Sequence, residues 1–136
     1  MTPEEIALIR DCFAKVVPIK ETAAEIFYNR LFETAPEVKS LFTGDMKKQG
    51  EMLMSALAGV VDNLDNLDAI VPDVQGLARR HVRYGVEADH YQPVGAALLW
   101  TLEQGLGDDF TAETGAAWAK AYGTLSGVMI EEAYTA

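Results

Sequence analysis

Apolar residues recur along this chain at intervals of three and four, the spacing of helices that bury one face, through almost every segment. Ile6, Ile9, Phe13 and Val17 make the first buried stripe. Ahead of it, Thr2-Pro3-Glu4-Glu5 offers a hydroxyl cap, a proline at the first helical position and a glutamate placed for a capping box. Pro18 marks a break or a new first turn. From Ile19 to Thr34, Ala23, Phe27 and Leu31 trace one inward row, with Ala24 and Tyr28 beside it. Tyr28 therefore lies at the apolar face, where its hydroxyl needs a polar partner.

Pro36 opens a short helical piece ending near Leu41-Phe42, and Thr43-Gly44-Asp45 reads as a turn. A long pattern follows from Met46 to Leu64, with Gln49, Leu53, Leu57 and Val61 on one side; Gln49 is a polar group facing inward. Pro72 starts another helix, which carries Val74, Leu77 and His81 inward and stops at Gly85. The stretch from Glu87 to Leu106 is helical again, with Tyr91, Val94, Leu98 and Leu102 in one row. Thr111 caps a last long helix lined by Trp118, Tyr122, Leu125 and Met129. Nothing alternates with period two for long enough to be a strand, so the predicted class is all-α. Helices of such unequal length suit a fold of crossing helices packed around a slot for a flat ligand.

The 136 residues suffice for one domain, spanning 1–136. No apolar run approaches the ~20 residues of a membrane span, and the first residues lack the basic start and apolar stretch of a signal peptide. Cys12 is the only cysteine, which excludes an internal disulfide and suits a reducing cytosol. Twenty-one acidic residues against eleven basic ones, a formal charge of −10, argue against nucleic acid and anionic membranes as partners.

Within this acidic chain, Leu77-Ala78-Arg79-Arg80-His81-Val82-Arg83-Tyr84-Gly85-Val86 places one of only two histidines among three arginines. A neutral imidazole with cations beside it suits an iron porphyrin, because nitrogen ligates the metal and arginine meets the propionates. The same residues also suit a hydrogen-bonded core histidine. His90, near a helix start, reads as an exposed residue rather than a second ligand.

Further matches lie elsewhere: Phe27-Tyr28-Asn29-Arg30-Leu31-Phe32; Pro36-Glu37-Val38 with Leu41-Phe42; Leu64-Asp65-Asn66-Leu67; His90-Tyr91 with Val94-Gly95; and Ala117-Trp118-Ala119-Lys120-Ala121-Tyr122-Gly123. In this order the chain resembles the globin family, and within it the bacterial single-domain haemoglobins and the globin domain of flavohaemoglobins. The resemblance implies haem b (iron protoporphyrin IX) held by His81 as proximal ligand, with Phe42 stacking on the porphyrin and Arg80 near a propionate. It implies Tyr28 and Gln49 as the distal pair, with Leu53 above the iron; a slip of register would bring Lys48 or Met52 there instead. Leu77, Val86, Val94, Leu98 and Tyr122 complete the expected pocket.

Tyr91 matches the tyrosine that hydrogen-bonds the proximal histidine in this family. The glutamate that completes that network is missing: its position holds Ala133, with Glu131 and Glu132 just before it. One residue along a helix is ~100° of rotation, so the network is expected to be incomplete and the electron push on the iron weak. The implied function is reversible binding of dioxygen, and of CO and NO, for storage or delivery. The alternative is a nitric oxide dioxygenase, and since the sequence contains no flavin or nicotinamide domain it would need a separate reductase. The expected state is a monomer or weak homodimer.

Overall fold

The computed structural model describes residues 2–42, 44–83 and 85–134. Among them are six α-helices: α1 (Pro3–Val16), α2 (Lys20–Thr34), α3 (Met46–Asp62), α4 (Val71–Arg83), α5 (Tyr91–Leu106) and α6 (Ala112–Tyr134), with a short 3-10 turn at each of the five joins and no strand. The expected all-α architecture is what is found.

Three of the helices start at a side-chain cap. The Thr2 side chain accepts the Glu5 amide at 3.1 Å and the Glu5 carboxylate accepts the Thr2 amide at 2.9 Å, closing the capping box of α1. Asp45 caps α3 by accepting the Lys47 amide at 2.9 Å; Thr43, in the same predicted turn, lies outside the described residues. Thr111 caps α6 through the Thr114 amide at 3.1 Å. At the end of α4, Gly85 adopts φ +90°, a left-handed conformation that costs glycine little.

Two boundaries depart from the sequence reading. Val17 does not complete the first stripe: α1 ends at Val16, the chain tightens into a 3-10 turn, and Val17 swings out to 48% exposure while Val16 is buried. Helix α3 stops at Asp62, before Leu64. Its last carbonyls are claimed by Arg10 of α1, which donates to Val61 O and Asp62 O at 3.2 Å each and pairs with Asp65.

Helix α2 packs on α5, α1 on α6, and α4 on α6. The consecutive helices α3 and α4 take different supports, α3 resting on α2 and α1. The main core joins Ile9, Phe13, Phe27, Leu31, Leu98 and Trp118. Full burial of a side chain such as Ile9 or Leu31 contributes about 1.5–3 kcal/mol. A smaller cluster gathers Val74, Ala78, Tyr91 and Met129, where α4 meets α6 and the start of α5.

Close helix crossings occur at two glycines. A Cβ on Gly50 would lie 2.9 Å from Ala24 Cβ, and one on Gly95 would lie 2.6 Å from the Tyr122 ring. Glycine at these positions lets α3 approach α2, and α6 approach α5.

Candidate functional site

His81 sits in the last turns of α4, half-buried. Its Nδ1 lies 2.7 Å from the Leu77 carbonyl oxygen, one turn earlier. A carbonyl only accepts, so Nδ1 carries the proton of this bond and the neutral ring keeps its lone pair on Nε2. Burial lowers the His81 pKa, with Arg80 beside it acting in the same direction against the Leu77 bond. The ring is thus an uncharged nitrogen donor with its orientation fixed, the form a metal requires.

Tyr91, buried at the first turn of α5, lies against this imidazole with ring centroids 6.3 Å apart and planes at 27°. Nδ1 is partnered by the Leu77 carbonyl, and the Tyr91 ring stacks beside the imidazole. The Tyr91 carbonyl accepts a short hydrogen bond from the Tyr122 hydroxyl, which the packing of the Tyr122 ring on Gly95 aims at it. Tyr122 thus supports the start of α5, and burial raises its pKa. Ala133 packs into the Tyr91 cluster, while Glu132 pairs with Arg79. The Glu132 carboxylate is therefore committed to α4's outer surface.

On α2, Tyr28 is buried and its hydroxyl donates to the Gln49 backbone carbonyl over 3.4 Å. The Gln49 side chain also hydrogen-bonds the phenol. Burial pushes the Tyr28 pKa up to about 12, so the phenol stays protonated at neutral pH. Phe42 lies 5.3 Å from both Tyr28 and Phe32, edge-on to each, and Phe27 closes the other side of the phenol at 4.9 Å. This aromatic box fixes a single hydroxyl in apolar surroundings.

Leu98 is buried and Leu53 and Val94 are half-buried against the main core; Leu77 and Val86 pack on the smaller cluster. The Val86 amide bonds the His81 carbonyl at 3.0 Å, closing the corner after α4. Arg80 is exposed, and its guanidinium reaches back towards Gly76. Met52 is 63% exposed and Lys48 is exposed, whereas Gln49 is half-buried, which favours Gln49 among the three. His90 caps its own turn by accepting the Glu87 amide at 3.0 Å. A cleft of about 900 Å³ between α2 and α3 is lined by Tyr28 and Phe32 together with Ala24 and Gly50 of the crossing. Sequence periodicity could not have found that crossing, because a glycine leaves no mark in an apolar pattern.

The globin family model matches residues 25–129. The chain belongs to the globin family. A bacterial globin from Campylobacter jejuni superposes on it with a TM-score of 0.84 at 32% identity, covering 96% of this chain and 95% of that one. Flavohemoproteins of Bordetella parapertussis and Vibrio cholerae are 32% and 33% identical over 133 and 138 residues, each match covering 96% of this chain. This globin spans about a third of the length of those relatives. Membership implies a haem cofactor and diatomic gas ligands. The residues fit that group: an oriented neutral imidazole whose Nε2 has no hydrogen-bond partner among the described residues, and a buried protonated phenol within an apolar aromatic box. Among the described residues, no helix is long and apolar enough to cross a membrane.

Proposed function

We propose that this globin, a single domain over residues 1–136, holds haem b through His81 and reversibly binds dioxygen, with CO and NO as further ligands. When bound, the haem supplies an iron with one open coordination position for a diatomic gas. The observation that carries the reading is the His81 imidazole, fixed by the Leu77 carbonyl with its Nε2 lone pair left for a metal. Phe42, Leu53, Val94 and Leu98 supply apolar walls that exclude water, and Arg80 is the cation for a propionate. Tyr91, held by Tyr122, sets the plane of the imidazole from behind.

Tyr28 is the donor for the gas. Its resting bond to the Gln49 carbonyl is long, so the phenol gives up little in turning its proton to a polarised dioxygen. One such bond contributes ~1–1.5 kcal/mol, a slowing of release by about tenfold. CO is less polar and gains less. We place this activity, oxygen storage or delivery, in the cytosol, in a monomer or weak homodimer.

Absorption spectra of the ferric, ferrous and CO-treated protein test the haem, and stopped-flow release rates test the donor. His81→Ala should abolish stable haem retention; an unaltered spectrum overturns the proximal assignment. Tyr28→Phe should speed dioxygen release about tenfold and CO release less; an unchanged rate removes Tyr28 from the gas. The similarity to flavohemoproteins favours a second reading, nitric oxide dioxygenase activity sustained by a separate reductase. Air-equilibrated ferrous protein given nitric oxide and a reductase should then turn over repeatedly, and a single turnover would eliminate that reading.

A further inference from the structure

We infer that Arg79 and Glu132 are positioning residues: their ion pair straps α4 to α6 and fixes the rotation of α4 that aims the His81 imidazole. The inference rests on the haem reading above, since the aim of the imidazole matters only to a group that it ligates.

Of the other helices, α6 is the one that α4 packs on most. The contact is made by short side chains. Ala78, fully buried, and Val74 gather with Met129 in the smaller cluster. Side chains on the line between two helices set the distance between the axes. A methyl group there has little leverage against one helix rolling on the other.

Rolling is resisted from the flanks. Successive residues of a helix turn by ~100°, so His81 lies ~60° to one side of Ala78 and Arg79 ~100° to the other. On the His81 flank, Leu77 packs into the cluster and the Tyr91 ring stacks beside the imidazole. On the opposite flank, the Arg79 guanidinium donates to the Glu132 carboxylate of α6. Among the described ion pairs, this is the one that joins α4 to another helix. Ala133 occupies the Tyr91 cluster, and the ~100° between neighbouring residues carries Glu132 round to the Arg79 flank.

The lever is long enough to matter. A roll of ~10° moves a group at the ~5–6 Å outer radius of a helix by about 1 Å. A misplacement of that size at a reacting centre can change a rate by about 10²-fold. The strap itself is weaker, because the Arg79 side chain is 57% exposed and that of Glu132 29%. Exposed pairs shift an equilibrium by up to about fivefold. Loss of the strap therefore leaves the fold and the haem in place and widens the range of imidazole orientations.

The ferrous, haem-loaded protein reports that orientation in the iron–imidazole stretching band of its resonance Raman spectrum. Arg79→Gln and Glu132→Gln should each broaden and displace the band and change the CO association rate by about two- to fivefold. The charge-reversed double variant, Arg79→Glu with Glu132→Arg, should restore both. Lys120→Gln is the matched control: it breaks a pair of nearly equal exposure, 52% and 25%, between α6 and Glu5 of α1. It should cost the same small amount in urea unfolding while the band and the CO rate stay as they were. A band unmoved in both single variants, an equal displacement in Lys120→Gln, or no restoration by the reversed pair each overturns the inference. Failure of the haem reading looks different: the unaltered protein would show no Soret band, and the inference would fall with it.

Discussion

Gly50→Ala tests whether the α2–α3 crossing sets the position of the distal phenol. The added Cβ would sit 2.9 Å from Ala24 Cβ where ordinary contact begins at 3.4 Å, so the helices must part by about 0.5 Å. Tyr28 lies one turn beyond Ala24 on α2 and Gln49 immediately precedes Gly50 on α3, so parting acts directly on their 3.4 Å bond and carries it past hydrogen-bonding distance. Overpacking of this size costs about 1–3 kcal/mol. Alanine in place of a mid-helix glycine returns about 1 kcal/mol. The expected net loss is about 0–2 kcal/mol, read from urea unfolding by circular dichroism, together with an altered dioxygen release rate. Ala24→Gly in the same chain removes the opposing methyl and should recover stability, with a coupling of at least about 1 kcal/mol across the double-mutant cycle. A Gly50→Ala protein stabilised by the full helix-propensity gain, with no coupling to Ala24, would refute the crossing as the determinant.

Three further outcomes are expected. Gly95→Ala should destabilise by up to about 2 kcal/mol in urea, the overpacking cost less the ~1 kcal/mol alanine returns in a helix, because its Cβ meets a Tyr122 ring whose hydroxyl is tied to the Tyr91 carbonyl and does not readily swing aside; a raised midpoint would show that the ring yields. Thr2 and Lys120 hold the Glu5 carboxylate down to about 2, so its contribution is present above its ordinary pKa of 4.5 and lost as pH falls from there through about 2; Glu5→Gln should flatten that part of the acid-stability profile. Burial raises the Tyr28 pKa from 10 to about 12, so the phenol keeps its proton well past pH 9, and dioxygen release should be flat from pH 6 to 9; a step within that range would mean another group controls it.

Much of this protein is local, and local features are legible in a sequence. The Thr2-Pro3-Glu4-Glu5 cap, the terminating Gly85 and the inward placement of Leu77 each depend on residues within a turn or two, and each is found as read. Val17 was misplaced because a helix that ends one residue early changes the rotation of everything after it by ~100°. The meeting of Leu41 with Gly85, across 44 positions, left no mark in the periodicity.

The sequence by itself determined the helices, their caps, the family resemblance and the candidate ligand residue, because hydrophobic periodicity and hydrogen-bonding side chains act over one or two turns. Only the tertiary structure decided which atoms meet: Leu77 O on His81 Nδ1, Gln49 O under the Tyr28 hydroxyl, Glu132 on Arg79, and Ala24 against Gly50. Apart from the His81 bond, those meetings join residues on different helices, where half an ångström or one residue of rotation changes the partner. Such precision comes from the close packing of whole helices rather than from any pattern along one of them.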